Sequence, residues 1–126
     1  MEKLYNIDFR QIDENTTLGK ILTAMRPGCT VLECGCATGY MTRLMKERLI
    51  AKVYIVEWGQ KAFHMAMKYA EGGVCADLMS DDWQKNFNGI SFDYIIFADV
   101  LEHLREPLTV LKTAVSMLKE DGTVLI

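Results

Sequence analysis

Apolar residues recur along this chain with two alternating periods, one helical and one extended. Leu18, Ile21, Leu22 and Met25 are spaced for one face of a helix over Thr16 to Met25, which Thr16 or Thr17 can cap and Arg26-Pro27-Gly28 stops. Thr30 to Cys34 then reads as a strand. Tyr40 to Ile50 reads as a helix with Met41, Leu44, Met45 and Leu49 on one side. A second strand is expected over Lys52 to Val56, a helix over Gln60 to Tyr69 that places Phe63, Met67 and Ala70 toward a core, and a short third strand over Gly73 to Ala76. Asp77 to Gly89 is polar and aromatic by turns, and predicts a loop with one helical turn near Trp83. Phe92 to Ala98 is a nearly continuous apolar run rich in β-branched and aromatic residues, which marks a central strand covered on both faces. Pro107 suits the first turn of a helix through Val110, Leu111, Ala114, Val115 and Leu118, and Glu120-Asp121-Gly122 ends it before a last strand, Thr123 to Ile126.

Strands that alternate with helices imply right-handed crossovers and a parallel sheet with helices on both faces. The expected class is therefore α/β, a doubly wound Rossmann-like sheet. No repeat or Gly/Ser linker interrupts it, so residues 16–126 read as one domain behind an irregular segment, residues 1–15. In such a sheet, ligands bind beyond the carboxyl ends of the strands, where strand order reverses.

Composition narrows the partners. The chain has 126 residues, half of them apolar and a quarter charged, which allows one core. A net charge of −3 supplies no global positive field, so nucleic acid is not indicated. Met1 to Asn15 lacks the basic and apolar regions of a secretory leader, and no apolar run approaches a membrane span, so a cytoplasmic protein with no membrane partner is expected. Cys29, Cys34, Cys36 and Cys75 come with no CxxC and no paired histidines, and read as buried thiols in a reducing compartment. Cys34 and Cys36 flank one glycine, and their side chains are expected on the same side.

The first strand runs into Glu33-Cys34-Gly35-Cys36-Ala37-Thr38-Gly39. Glycines there let backbone approach a ligand, and the following helix turns its first amide groups toward the same place. The plain alternative is a tight turn that needs glycine for its dihedrals alone. Glu57 ends the second strand roughly 20 residues beyond Gly35, a spacing that suits contact with ribose hydroxyls, against the alternative of a surface glutamate. Trp58 offers an apolar face to an adenine ring.

The segment Glu33 to Gly39 resembles the motif Glu/Asp-x-Gly-x-Gly-x-Gly of class I S-adenosylmethionine (SAM)-dependent methyltransferases, with Ala37 in place of the middle glycine. A second resemblance runs through Phe92-Asp93-Tyr94 and Ala98-Asp99-Val100-Leu101-Glu102-His103-Leu104. The carboxylate of Glu33 separates this family from dinucleotide binders: it repels a pyrophosphate and attracts the ammonium and sulfonium of SAM. The resemblance implies SAM as cofactor, with Glu33, Gly35, Cys36, Ala37 and Gly39 around its methionine moiety and Glu57 at its ribose. It further implies Asp77 accepting from the adenine amino group, the Leu78 N–H on a ring nitrogen, and Met79 along the adenine pocket. Ala98 and Asp99 would hold the methionine amino end, and Leu101 to His103 would face the acceptor.

His103 is the candidate general base, with helix capping or pocket shape as its other reading; His64 reads as a surface residue. Some relatives bind a divalent metal through a Glu-x-x-Glu-His group and a later histidine. Asp99, Glu102 and His103 imitate part of that group, but no histidine follows His103, so no metal is expected. The implied reaction is direct displacement at the methyl carbon, with positioning as the main source of rate.

The family's sheet has strand order 3-2-1-4-5-7-6, of which this sequence supplies order 3-2-1-4-5. The expectation is a methyltransferase domain truncated at its C-terminus, with a homo-oligomer forming through the fifth-strand edge. A small molecule, a sugar among them by a further resemblance to polysaccharide-biosynthesis proteins, is the expected acceptor. The competing functions are a non-catalytic module of a larger enzyme and an NAD-dependent oxidoreductase.

Overall fold

Strand β1 (Thr30–Cys34) lies at the centre of a five-stranded parallel sheet, with β2 (Lys52–Glu57) and β3 (Gly72–Cys75) on one side and β4 (Phe92–Phe97) and β5 (Leu118–Leu125) on the other. The computed structural model describes residues 15–79 and 82–126. The irregular segment read over residues 1–15 thus lies, apart from Asn15, outside the described residues. The order β3-β2-β1-β4-β5 reverses between β1 and β4, as the doubly wound reading requires.

Alternation along the strands builds two cores. Val31, Val53, Ile55, Tyr94 and Ile96 face helices α1 (Thr17–Ala24), α2 (Tyr40–Leu49) and α3 (Gln60–Ala66), where Ile21, Met25, Met41, Met45 and Ala66 meet them. Leu32, Cys34, Val56, Phe92, Ile95 and Phe97 point the other way, onto Val110 and Ala114 of α4 (Pro107–Ser116) and onto Trp83 and Phe87. All six residues of β4 are buried, which is why its sequence shows no alternation. Phe63, Met67 and Ala70 pack on the first core as their spacing predicted. Among the described residues no helix is long and apolar enough to cross a membrane.

Helix ends follow local chemistry. The Thr16 hydroxyl accepts the Gly19 N–H at 3.0 Å and starts α1. The turn expected near Trp83 is a 3-10 segment, Trp83–Phe87, anchored by the indole N–H on the Leu78 carbonyl at 3.2 Å and by edge-to-face contacts among Tyr54, Phe87 and Phe92.

Four expectations are corrected. Cys75, read as a buried thiol, is exposed at the end of β3, while Cys29, Cys34 and Cys36 are buried. The helix from Gln60 leaves α geometry at Ala66 rather than Tyr69, and turns over the next three residues. Helix α4 stops at Ser116 rather than running on past Leu118, because Leu118 already pairs with Phe92 and Lys119 reaches Asp93 at 3.2 Å. Residues 119–122 then bulge before regular pairing resumes at Thr123 opposite Tyr94. Cys34 and Cys36 enter opposite cores, because Gly35 between them has φ +78° and breaks the alternation.

Candidate functional site

The turn that leaves β1 is built from left-handed backbone: Gly35, Ala37 and Gly39 have φ of 78°, 51° and 93°. Gly35 is still tied to the neighbouring strand, its N–H donating to the Val56 carbonyl at 2.7 Å. A Cβ on Gly35 would sit 2.5 Å from Cγ2 of Val100, and one on Gly39 2.7 Å from Cα of Ala66. Both glycines are therefore demanded by the protein's own packing. Gly39 lets α2 begin directly against α3, and Gly35 admits the side chain that follows β4.

Two carboxyl groups close this turn. Val31 and Glu33 share a face of β1, as do Val53, Ile55 and Glu57 of β2, so alternation brings both glutamates to the α2–α3 side. Glu33 is 3% exposed, and its Oε1 accepts the Thr42 hydroxyl at 2.6 Å. Burial pushes its pKa up to about 8; the Thr42 hydrogen bond opposes this, and the charge of Glu57 adds to it. Burial therefore favours the neutral form of the Glu33 carboxyl, and a positive charge beside it would favour the anion. Glu57 is half-buried, and its Oε1 accepts the Ala37 N–H while Oε2 accepts the Gly59 N–H, both at 2.8 Å.

Two adjoining cavities open at this end of the sheet. One, of about 380 Å³, is walled by Val56, Trp58, Ala76, Leu78, Met79 and Leu104, with Asp77 and Arg105 among its polar groups. The other, of about 560 Å³, has Glu33, Cys36, Ala37, Tyr40 and Ala98 along it. Gly35, Glu57, Asp99, Val100 and His103 line both. The sizes suit small ligands; the first cavity combines the apolar wall with Asp77 and Arg105, and the second holds the buried Glu33 carboxyl.

Of the residues singled out for the cofactor, Gly39 alone lines neither cavity; Leu101 and Glu102, expected on the acceptor side, line neither as well, whereas His103 lines both. Trp58 stands 73% exposed at the rim of the first. The Asp77 Oδ1 accepts the Met79 N–H at 2.9 Å, so this side chain shapes a local turn while staying on the cavity wall. Asp99 is exposed and left-handed, with φ 56°, and His103 is exposed in a short 3-10 turn, Leu101–His103. Thr42, Val100 and Arg105 were not singled out. Thr42 had a signal, being a polar residue at helical spacing from Met45 and Leu49; Val100 and Arg105 had none, since the fold alone places them.

A parallel sheet with its cleft at the reversal point, beyond the carboxyl ends of its strands, defines a Rossmann-like α/β protein. Comparison with known proteins narrows this class. A family model described as a methyltransferase domain matches residues 8–126, and the chain belongs to that family, the class I SAM-dependent methyltransferases. Over 104 residues it is 30% identical to a ubiquinone biosynthesis O-methyltransferase of Xanthomonas campestris pv. campestris, a match covering 79% of this chain and 43% of that protein. The chain thus spans less than half the length of the curated relatives it matches. A TehB-like SAM-dependent methyltransferase from Corynebacterium glutamicum has the same fold, with a TM-score of 0.68 at 19% identity over 98% of this chain and 68% of its own. So has the plantazolicin methyltransferase BpumL, solved in complex with SAH, at 0.65 and 20% identity over 83% and 40%.

Proposed function

We propose that this chain binds SAM across the two cavities and serves a methyltransferase acting on a small-molecule acceptor. The observation that carries the reading is the buried Glu33 carboxyl at one end of a cleft whose other end joins an apolar wall to Asp77. The residues fit the cofactor: a cationic amino-acid end suits Glu33 and the nearby Asp99, and an adenine suits the wall of Trp58, Leu78 and Met79. Glu57, on both cavities, has lone pairs left for ribose hydroxyls, and Asp77 and Leu78, on the wall of the first cavity, are our candidates to meet the adenine edge.

When bound, SAM supplies an electrophilic methyl group. The protein's share is to hold the donor, to keep the acceptor in line, and to take a proton where the acceptor has one to lose. His103, lining both cavities, is our candidate for that proton, drawn from an acceptor hydroxyl to an imidazole nitrogen. The names of the Xanthomonas and plantazolicin proteins favour a small-molecule acceptor; a sugar is one member of that class. Three buried thiols and exposed Cys75, all unpaired, suit the reducing cytoplasm we assign.

Calorimetric titration with SAM, SAH and NAD tests the cofactor, and transfer of labelled methyl to a panel of phenols and sugars tests the reaction. Binding of SAM and SAH but not NAD is expected. Absence of SAM binding would sink the proposal, and binding without transfer to any acceptor would favour a non-catalytic module. Pairing of two copies along β5 is the remaining part of the proposal. A monomer at micromolar concentration in sedimentation would remove it.

A further inference from the structure

Glu57 accepts hydrogen bonds from two backbone amides, and one of them lies 20 residues away in sequence. That amide belongs to Ala37, whose φ of 51° crowds its Cβ against the following carbonyl. An L residue stays in this region when its surroundings over-determine it. Here the determinant is visible: the Ala37 N–H is aimed at Oε1 of Glu57 at 2.8 Å, and the Gly59 N–H fixes Oε2 at 2.8 Å, so the carboxylate's own orientation is set at the end of β2. Hydrogen bonds to a charged acceptor are the strong ones. Ala37 stands between Cys36 and Thr38, which line the cavity beside Glu33, so its conformation decides where those groups point.

We propose that Glu57 is a positioning residue for the acidic half of the cleft: by holding Ala37 left-handed it shapes the turn that receives the amino-acid end of the cofactor. The inference rests on the reading of the cleft as a SAM site. Each carboxylate oxygen keeps a second lone pair, so the same group still accepts ribose hydroxyls, and the two halves of the ligand are coupled through one side chain.

The test uses SAH and its 2′,3′-dideoxy analogue, which lacks both ribose hydroxyls, titrated into the wild type, Glu57→Ala, Ala37→Gly and the double variant. If Glu57 served ribose alone, Glu57→Ala would weaken SAH and leave the analogue unchanged, and the proposal would fall. The expected result is a loss of about fivefold or more on the analogue as well. Glycine adopts positive φ without help, so most of that loss should vanish in the Ala37→Gly background. An equal loss in both backgrounds would also overturn the proposal.

A ligand-free readout stands beside these titrations. In Glu57→Ala the Ala37 amide proton should move upfield and exchange faster with solvent; an unchanged resonance would refute the bond itself. Should Glu57→Ala fail to fold, Glu57→Gln retains one acceptor oxygen and should show both effects in smaller measure. Wild-type protein that binds no SAH would count against the SAM reading, while the Ala37 resonance would still decide whether Glu57 holds the turn.

Discussion

Asp93 and Glu33 are buried carboxyl groups on adjacent central strands, 7% and 3% exposed, yet their surroundings act on them in opposite directions. Asp93 lies near the amino end of β4. Its Oδ2 accepts the Thr30 N–H at 2.8 Å, and its Oδ1 meets Arg26 at 3.0 Å and Lys119 at 3.2 Å. The Thr30 hydrogen bond, with the two cations behind it, holds this carboxyl below its ordinary range. Glu33, toward the carboxyl end of β1, has one hydroxyl partner and an anionic neighbour, and is pushed up to about 8. Left-handed residues stand at both ends, Gly28, Ile50 and Gly89 before strands and Gly35, Ala37, Gly39 and Asp99 after them, but only the latter adjoin the cavities or the turn after β1. One end of the sheet is complete in itself, while the other leaves the charge of Glu33 to be balanced by a proton or by a cation from outside.

The largest expected effect sharpens this contrast through pH. The folded chain holds a proton on Glu33 that the unfolded chain releases near 4.5, so its contribution to stability is full below that pH and is lost as pH rises through about 8. The slope approaches about 1.4 kcal/mol per pH unit between these limits. Glu33→Gln cannot lose a proton and should flatten it, which urea unfolding at intervals from pH 5 to 8 will measure. The same variant should bind SAM at least tenfold more weakly, because the amide cannot become the anion that a cationic ligand draws out. Parallel pH profiles for the two proteins would erase the contrast.

Gly39→Ala comes next. The new methyl would meet the Ala66 backbone at 2.7 Å with φ at 93°, so overpacking and left-handed strain act together, at about 3 kcal/mol. Its thermal midpoint should fall by several degrees. A variant as stable as wild type would mean that α2 and α3 can separate, and that this end of the sheet is looser than its contacts imply.

Asp93→Asn tests the opposite end and should cost about 1–2 kcal/mol near neutral pH, a modest sum because both cations are about half exposed. Since the Asp93 pKa is lowered on folding, its contribution is present above the ordinary carboxylate range and lost as pH falls through the folded value. Acid unfolding of the variant should therefore begin from a lower plateau and fall less steeply below pH 4. An unchanged acid limb would show that the Arg26 and Lys119 pairs are solvent-screened contacts of little consequence.

Much of this architecture was legible in the sequence, and the exceptions share a cause. Strand β1 and the start of β2 fall where they were read, and the nearly continuous apolar run of β4, broken by Asp93 alone, announced a strand buried on both faces. The early end of α4 was hidden, because Val115 and Leu118 continue helical spacing while the pairing of Leu118 with Phe92 is a long-range event. The burial of Glu33 follows from its two-residue spacing to Val31. The rise in its pKa comes first from that burial; the opposing Thr42 of α2 and the reinforcing Glu57 of β2 lie on other elements, and the local sequence does not show them. The motif's glycines were visible as glycines, but their neighbours Val100 and Ala66 were not, because nothing local marks a residue that will lie against a distant Cα.

The smallest effect bears on strain at the carboxyl end, at Ala37. Replacing this alanine by glycine removes a left-handed Cβ, worth about 1–2 kcal/mol, and adds about 0.5–1 kcal/mol of unfolded-state entropy. The net expectation is stabilisation of up to about 1 kcal/mol, read as a rise in urea midpoint at constant slope. The hydrogen bond from residue 37 to Glu57 involves backbone alone on one side and survives the change. A destabilised variant would mean that Ala37 rests in its φ of 51° without strain, and that its methyl group contributes packing which outweighs the backbone term. The carboxyl end would then differ from the amino end in charge alone, and the turn after β1 would no longer need Glu57 to keep its shape.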